Sequence, residues 1–178
     1  GLGATGPATR DGRALIGQNW DWSAMLRPWS GLLRLRIAGM PRLLTYAYPG
    51  LWASAGLNEH GLGLVWTGSG YRPKVKPKVG IPTYALIAGI LACRNCREAL
   101  ALLARTPRAG CFIFFIADAR NEVWVIEGLP DRIETVRCVD TIGRANHYEC
   151  ARMCALARQT VPRPKPGVNT LARGQRMA

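Results

Sequence analysis

Acidic residues and histidines are scarce in this chain. Its 178 residues carry 11 Asp and Glu against 24 Lys and Arg, a formal charge of +13, and only 2 His. His60 and His147 are far apart and neither belongs to a His-Glu-x-x-His pair, so no ligand set for a hydrolytic metal is present. There is no Gly-x-Ser-x-Gly elbow, and Ser23, Ser30, Ser54 and Ser69 lie in ordinary surroundings, which leaves a Ser-His-Asp triad unsupported. A Gly-rich phosphate loop, βαβ alternation and internal repeats are also lacking, and no cofactor is expected. No apolar run approaches the roughly 18 to 20 residues of a membrane span, and no N-terminal stretch combines basic, apolar and cleavage-site regions. The chain therefore reads as soluble and without an address, with a cytoplasmic setting as the default and no membrane partner.

The positive charge would suit a polyanion, because clustered Lys and Arg release counterions from phosphates. Its distribution argues otherwise. Most basic residues are Arg scattered singly, the one compact cluster at residues 72–78 is broken by Pro73 and Pro77, and no helix-turn-helix, zinc-finger or aromatic-basic RNA motif accompanies it. Nucleic acid is not the expected partner. The 6 cysteines (Cys93, Cys96, Cys111, Cys138, Cys150, Cys154) read as buried free thiols in a chain large enough to do without disulfides. A four-thiolate zinc site from Cys93, Cys96, Cys150 and Cys154 is conceivable, but both pairs fall in probable helices rather than knuckles.

What is present suffices for one domain over residues 1–178, with 48% hydrophobic residues to build a core. Residues 1–8 and 13–21 should form a β-hairpin about Thr9-Arg10-Asp11-Gly12. Its second arm ends on Asp21, flanked by Trp20 and Trp22. That carboxylate would sit partly out of water, where it must be hydrogen-bonded or have its pKa moved. Residues 23–30 read as irregular, with Pro28 barring a helix interior. Strands are expected at 33–37, with one solvated face, at 43–48 and at 51–55; Gly61 then serves a tight turn that enters an apolar strand. Residues 70–80 read as a loop near a pocket mouth. The spacing turns helical over 81–104, with a break near Arg94 and Asn95. Residues 111–117, 123–127 and 132–139 are further strands, 149–159 a helix, 161–167 a linker, and 171–178 a last helix capped by Asn169-Thr170. This order gives an α+β layered fold with sheets at the centre and helices outside. The last helix lacks a stop signal, so the chain is expected to continue past Ala178.

Asp21 and Asn146 then stand out as polar side chains at the ends of apolar strands, each beside an aromatic. An Asn amide can donate to a developing oxyanion; it can equally cap a turn. His60 is expected to face solvent, and His147 to be structural or a pocket wall rather than a base.

In order, Gly17-Gln18-Asn19-Trp20-Asp21-Trp22, Gly56-Leu57-Asn58-Glu59-His60-Gly61-Leu62, Phe115-Ile116-Ala117-Asp118-Ala119 and Asn146-His147-Tyr148 resemble the acyl-coenzyme A:6-aminopenicillanic acid acyltransferase (isopenicillin N acyltransferase) family of N-terminal-nucleophile hydrolases. The resemblance extends over essentially the whole chain. The Asn58 to Leu62 turn is shared with the related choloylglycine (bile salt) hydrolases and penicillin V acylases. In those relatives a proline soon follows the asparagine, whereas His147-Tyr148 here favours the acyltransferase branch.

The resemblance implies a four-layer αββα sandwich and a precursor that cuts itself before a cysteine. The freed α-amino group of that cysteine is the general base for attack on a linear amide or acyl thioester. It further implies that Asp21 orients the nucleophile and its amino group, that Asn146 is the oxyanion donor, and that a backbone N–H near Thr67 and Gly68 is a second donor. By the resemblance the nucleophilic cysteine would align a few residues before Gly1; neither Gly1 nor Leu2 can serve as nucleophile, and Thr5 would need an unsupported cleavage after Ala4. The family's C-terminal arginine would fall beyond Ala178. The expectation is therefore a partial domain, truncated at both ends and inactive as written. The alternatives are a pseudoenzyme or a basic binding module for an acidic ligand.

Overall fold

The computed structural model describes residues 1–21, 23–69, 76, 78–157 and 173. Two antiparallel sheets dominate it. The large one is a meander of β3 (Gly31–Leu35), β4 (Leu43–Tyr48), β5 (Leu51–Asn58), β6 (Gly63–Thr67), β7 (Phe112–Ala117), β8 (Val123–Leu129) and β9 (Arg132–Arg137), so every pairing joins strands adjacent in sequence. The small sheet has the order β10 (Thr141–Gly143), β1 (Leu2–Gly6), β2 (Gly12–Gly17). Helices α1 (Thr83–Leu91) and α2 (Cys96–Arg105) fall between β6 and β7, and α3 (Ala151–Ala157) follows β10.

Strand β7 shows why these layers stack. Its run Phe-Ile-Phe-Phe-Ile-Ala is buried at every position, which a strand tolerates only when both faces of its sheet are covered. Phe112, Phe114 and Ile116 meet Leu86, Ile87, Ile90 and Leu91 of α1 and Ala99 and Leu103 of α2. Ile113 and Phe115 face the other way, toward Ile16 of β2, Ile142 of β10 and Met153 and Ala157 of α3. Helix layer, large sheet and small sheet therefore follow one another, with α3 on the small-sheet side. Leu2 and Leu15 stay 45% and 58% exposed on the outer face of the small sheet.

The hairpin of β1 and β2 forms as expected, with Gly12 at φ +71°. Strand β2 nevertheless stops at Gly17 rather than at Asp21. The Gln18 Oε1 accepts the Trp66 N–H at 2.6 Å, and Trp20 leaves the strand to stack against Tyr48, ring centroids 5.5 Å apart, and edge-on against Tyr46 at 5.3 Å. Residues Ala24–Trp29 form a 3₁₀ helix rather than irregular chain: Ser23 Oγ accepts from Met25 N, and the short i to i+3 pattern tolerates Pro28. Strand β3 lies two residues earlier than the alternation suggests and is exposed almost throughout, as befits an edge.

The break between the helices has a reciprocal cap. Asn95 Oδ1 accepts from Glu98 N at 3.0 Å, and Glu98 Oε2 accepts from Arg94 N at 2.9 Å. Residues 158–172 and 174–178, which include the expected linker and most of the expected last helix, lie outside the described residues, as does most of the basic cluster; Lys78 of that cluster pairs with Asp131 at 2.9 Å. No helix among the described residues is long and apolar enough to cross a membrane.

Candidate active site

The four sequence motifs separate to opposite ends of the large sheet. At one end lie the β5–β6 and β7–β8 turns. Asn58 is 4% exposed and fully engaged: its Nδ2 donates to the carbonyls of Leu91 and Cys93 at 3.0 and 2.6 Å, and its Oδ1 accepts from His60 N and Leu62 N, both at 3.0 Å. Asp118, 5% exposed, accepts from Cys96 N and Arg120 N, both at 2.9 Å, and so fixes the first turn of α2. Gly61, at φ +82°, lets the two turns meet, since a Cβ there would stand 2.9 Å from the Ala119 Cβ. These two motifs are clamps between the sheet and the helix layer. His60 is exposed, as expected.

The other end collects the remaining motif residues. Asn146, half-buried just after β10, donates from Nδ2 to Thr67 Oγ1 at 2.6 Å and to the Gly68 carbonyl at 2.9 Å. It is the hydroxyl of Thr67 and the carbonyl of Gly68 that face this amide. The Asn146 Oδ1 accepts from Arg173 Nη2 at 3.1 Å, which fixes the orientation of the amide because a guanidinium can only donate. Arg173 Nη1 lies 3.9 Å from Asp21 Oδ2. Two groups expected to act together, Asp21 and Asn146, are thus joined by an arginine to which the sequence pattern alone gave no role. The signal that could have found Arg173 is an isolated Arg following the expected Asn169-Thr170 cap.

Asp21 itself corrects an expectation. Its side chain is 84% exposed, so it is not a carboxylate held out of water, and Trp22 lies outside the described residues. The start of β1 reaches the same place: Gly1 N donates to the Arg144 carbonyl at 2.8 Å, and Arg144 N donates to the Gly1 carbonyl at 2.9 Å.

Next to Asn146, His147 is nearly buried, with Nε2 3.7 Å from Glu149 Oε1. Burial holds its imidazole below the ordinary value, against the raising effect of Glu149 and Glu127. The cysteine pairs do not converge. Cys93 and Cys96 pack with the helix-layer core, and Cys150 and Cys154 pack on the opposite face of the large sheet, so they cannot share a zinc ion. Burial raises the pKa of every one of these thiols.

Beside the site, Trp29, Leu33, Tyr48, Leu51 and Trp52 line an apolar cavity of about 620 Å³, which adjoins Trp20 through Tyr48.

Similar folds occur in solved structures. The N-acylethanolamine-hydrolyzing acid amidase ortholog of Caenorhabditis elegans is 11% identical with a TM-score of 0.64, over 90% of this chain and 86% of that one. Two variants of conjugated bile acid hydrolase from Clostridium perfringens are 16% and 13% identical, with TM-scores of 0.50 and 0.47, over 77% and 79% of this chain. The chain spans 50% and 42% of those two structures, so about half their length or less. No curated protein matches the sequence. The two antiparallel sheets with helices outside are the αββα sandwich of N-terminal-nucleophile hydrolases, of which the described residues supply the first helix layer and both sheets. The sequence pattern of the acyl-coenzyme A:6-aminopenicillanic acid acyl-transferase family matches residues 8–172, and the chain belongs to that family.

Proposed function

We propose that residues 1–178 are part of one N-terminal-nucleophile domain that cleaves or transfers the acyl group of a linear amide or acyl thioester. The nucleophile is a cysteine at the N-terminus of the active protein, outside this stretch, with its own α-amino group as general base. Asp21 orients that cysteine, and Asn146 Nδ2 donates to the oxyanion that forms when the thiolate attacks the carbonyl. A backbone N–H at Thr67 or Gly68 is the second donor. The observation that carries this reading is the convergence of Asp21, Asn146, Thr67 and Arg173 at the end of the sheets where β1 begins.

In the resting arrangement the Asn146 amide is held by Thr67 Oγ1 and the Gly68 carbonyl. A substrate oxyanion competes for the same amide hydrogens. Being charged, it is the stronger acceptor, which favours the transition state over the ground state.

The test uses the full-length protein with penicillin V, a conjugated bile acid, an N-acylethanolamine and an acyl-coenzyme A thioester. Turnover of at least one, with an acyl adduct on an N-terminal cysteine seen by mass spectrometry, is the expected result. No turnover of any, or no N-terminal cysteine in the processed protein, ends this reading.

A further inference from the structure

Behind Asn146 lies a carboxylate that the reading above does not use. Glu127, on β8, has no exposed surface. Donors surround it: Arg144 Nε donates to Oε1 at 2.9 Å, and the backbone N–H groups of Glu149 and Cys150 donate to both oxygens at 3.1 to 3.3 Å. The Arg144 side chain is 11% exposed and completes the cluster, with Nη1 donating to the Gly143 carbonyl at 2.8 Å and lying 3.1 Å from Glu149 Oε2. The Arg144 backbone, in turn, exchanges both hydrogen bonds with Gly1. One buried carboxylate thus holds the chain two residues before Asn146 and three and four residues after it, and through Arg144 holds the start of β1.

We propose that Glu127 is the positioning residue that sets Asn146 against the beginning of β1. This rests on Asn146 being the oxyanion donor. A charge-assisted cluster suits the task because an oxyanion donor must be held within a fraction of an ångström of its working position. A carboxylate is the only side chain that can serve every donor here. It accepts on both oxygens, whereas an amide would turn an NH₂ group toward Arg144 or toward the two backbone N–H groups. A role in stability alone would need none of these bonds to bracket Asn146. The cluster encloses that residue on both sides.

A double-mutant cycle in the full-length enzyme separates the two roles, with Glu127→Gln and Asn146→Ala measured singly and together. Glu127→Gln is expected to lower kcat about 10-fold or more while KM stays within about twofold. In the Asn146→Ala background the same change is expected to lower kcat by less than about twofold, because the group it positions is gone. Losses that multiply, or an unchanged kcat in Glu127→Gln, overturn the inference while leaving the oxyanion role of Asn146 intact. Unchanged turnover in Asn146→Ala alone overturns both. Should Glu127→Gln fail to fold, Arg144→Lys carries the same comparison, since lysine keeps the charge but not the directed Nε–H. A kcat loss that vanishes in the Asn146→Ala background supports the proposal, and one that persists in full refutes it.

Discussion

Asn58 and Asn146 occupy opposite ends of the large sheet, and the contrast between them separates scaffold from site. Both are asparagines beside a strand end, and both join two elements. Asn58 is 4% exposed and spends its amide on four backbone groups of the β5–β6 turn and the end of α1. Asn146 is half-buried and bonds a hydroxyl, one carbonyl and a guanidinium whose own side chain is 49% exposed. Breaking the first set leaves buried backbone groups without partners, which is costly. The second set leaves no buried backbone N–H orphaned and can be lost at little cost to the fold. A polar side chain saturated by backbone is architecture; one that faces exchangeable partners at an open edge is available for chemistry.

The sharpest way to break this comparison is to exchange the readouts. Asn146→Ala in the full-length protein is expected to lower kcat by about 10² to 10³-fold, as removal of an oxyanion donor does, with only a small change in melting temperature. Asn58→Ala is expected to do the reverse. It should cost about 3 kcal/mol of stability in denaturant unfolding, through two orphaned carbonyls and two orphaned N–H groups, while kcat per folded molecule stays unchanged. A large loss of kcat in folded Asn58→Ala would erase the distinction.

Smaller changes sharpen it. Arg173→Gln removes the guanidinium that orients the Asn146 amide and faces Asp21, and kcat is expected to fall about tenfold with stability unaltered. The smallest effect concerns pH. Burial keeps the folded-state pKa of His147 below its ordinary 6.5, so on acidification the unfolded chain takes up a proton before the folded one does. Above about pH 7.5 both states are neutral and His147 contributes nothing; as pH falls through 6.5 it destabilises the fold, by at most about 1.4 kcal/mol per pH unit. His147→Gln is therefore expected to lose less stability between pH 8 and pH 5 than the parent, measured by chemical unfolding at each pH. A steeper loss in the variant would reverse the sign.

Much of this was legible in the sequence because it is local. The β1–β2 hairpin follows from Asp11-Gly12, the two helices from their spacing and the Asn95 break, and the doubly covered β7 from an apolar run too continuous for a sheet with one wet face. The 3₁₀ helix at Ala24–Trp29 was not legible, since a proline that bars an α-helix still permits a shorter ladder. Nor was the early end of β2, which is decided by Trp66 and by the rings of Tyr46 and Tyr48, 26 or more residues away.

For the site, the sequence by itself determined which residue types were on offer: a carboxylate at 21, an amide at 146, and no histidine or serine in a catalytic setting. Only the tertiary structure decided their arrangement. It placed Asn58 and Asp118 as clamps far from Asn146, left Asp21 in solvent, brought Arg173 to the Asn146 amide, and set the buried Glu127 against the chain before and after Asn146. The physical reason is range. Turns and periodicity depend on neighbours a few residues apart, whereas hydrogen bonds to Asn146 span 27 and 79 residues, and nothing in the local pattern encodes which distant donor or acceptor will fill a given direction.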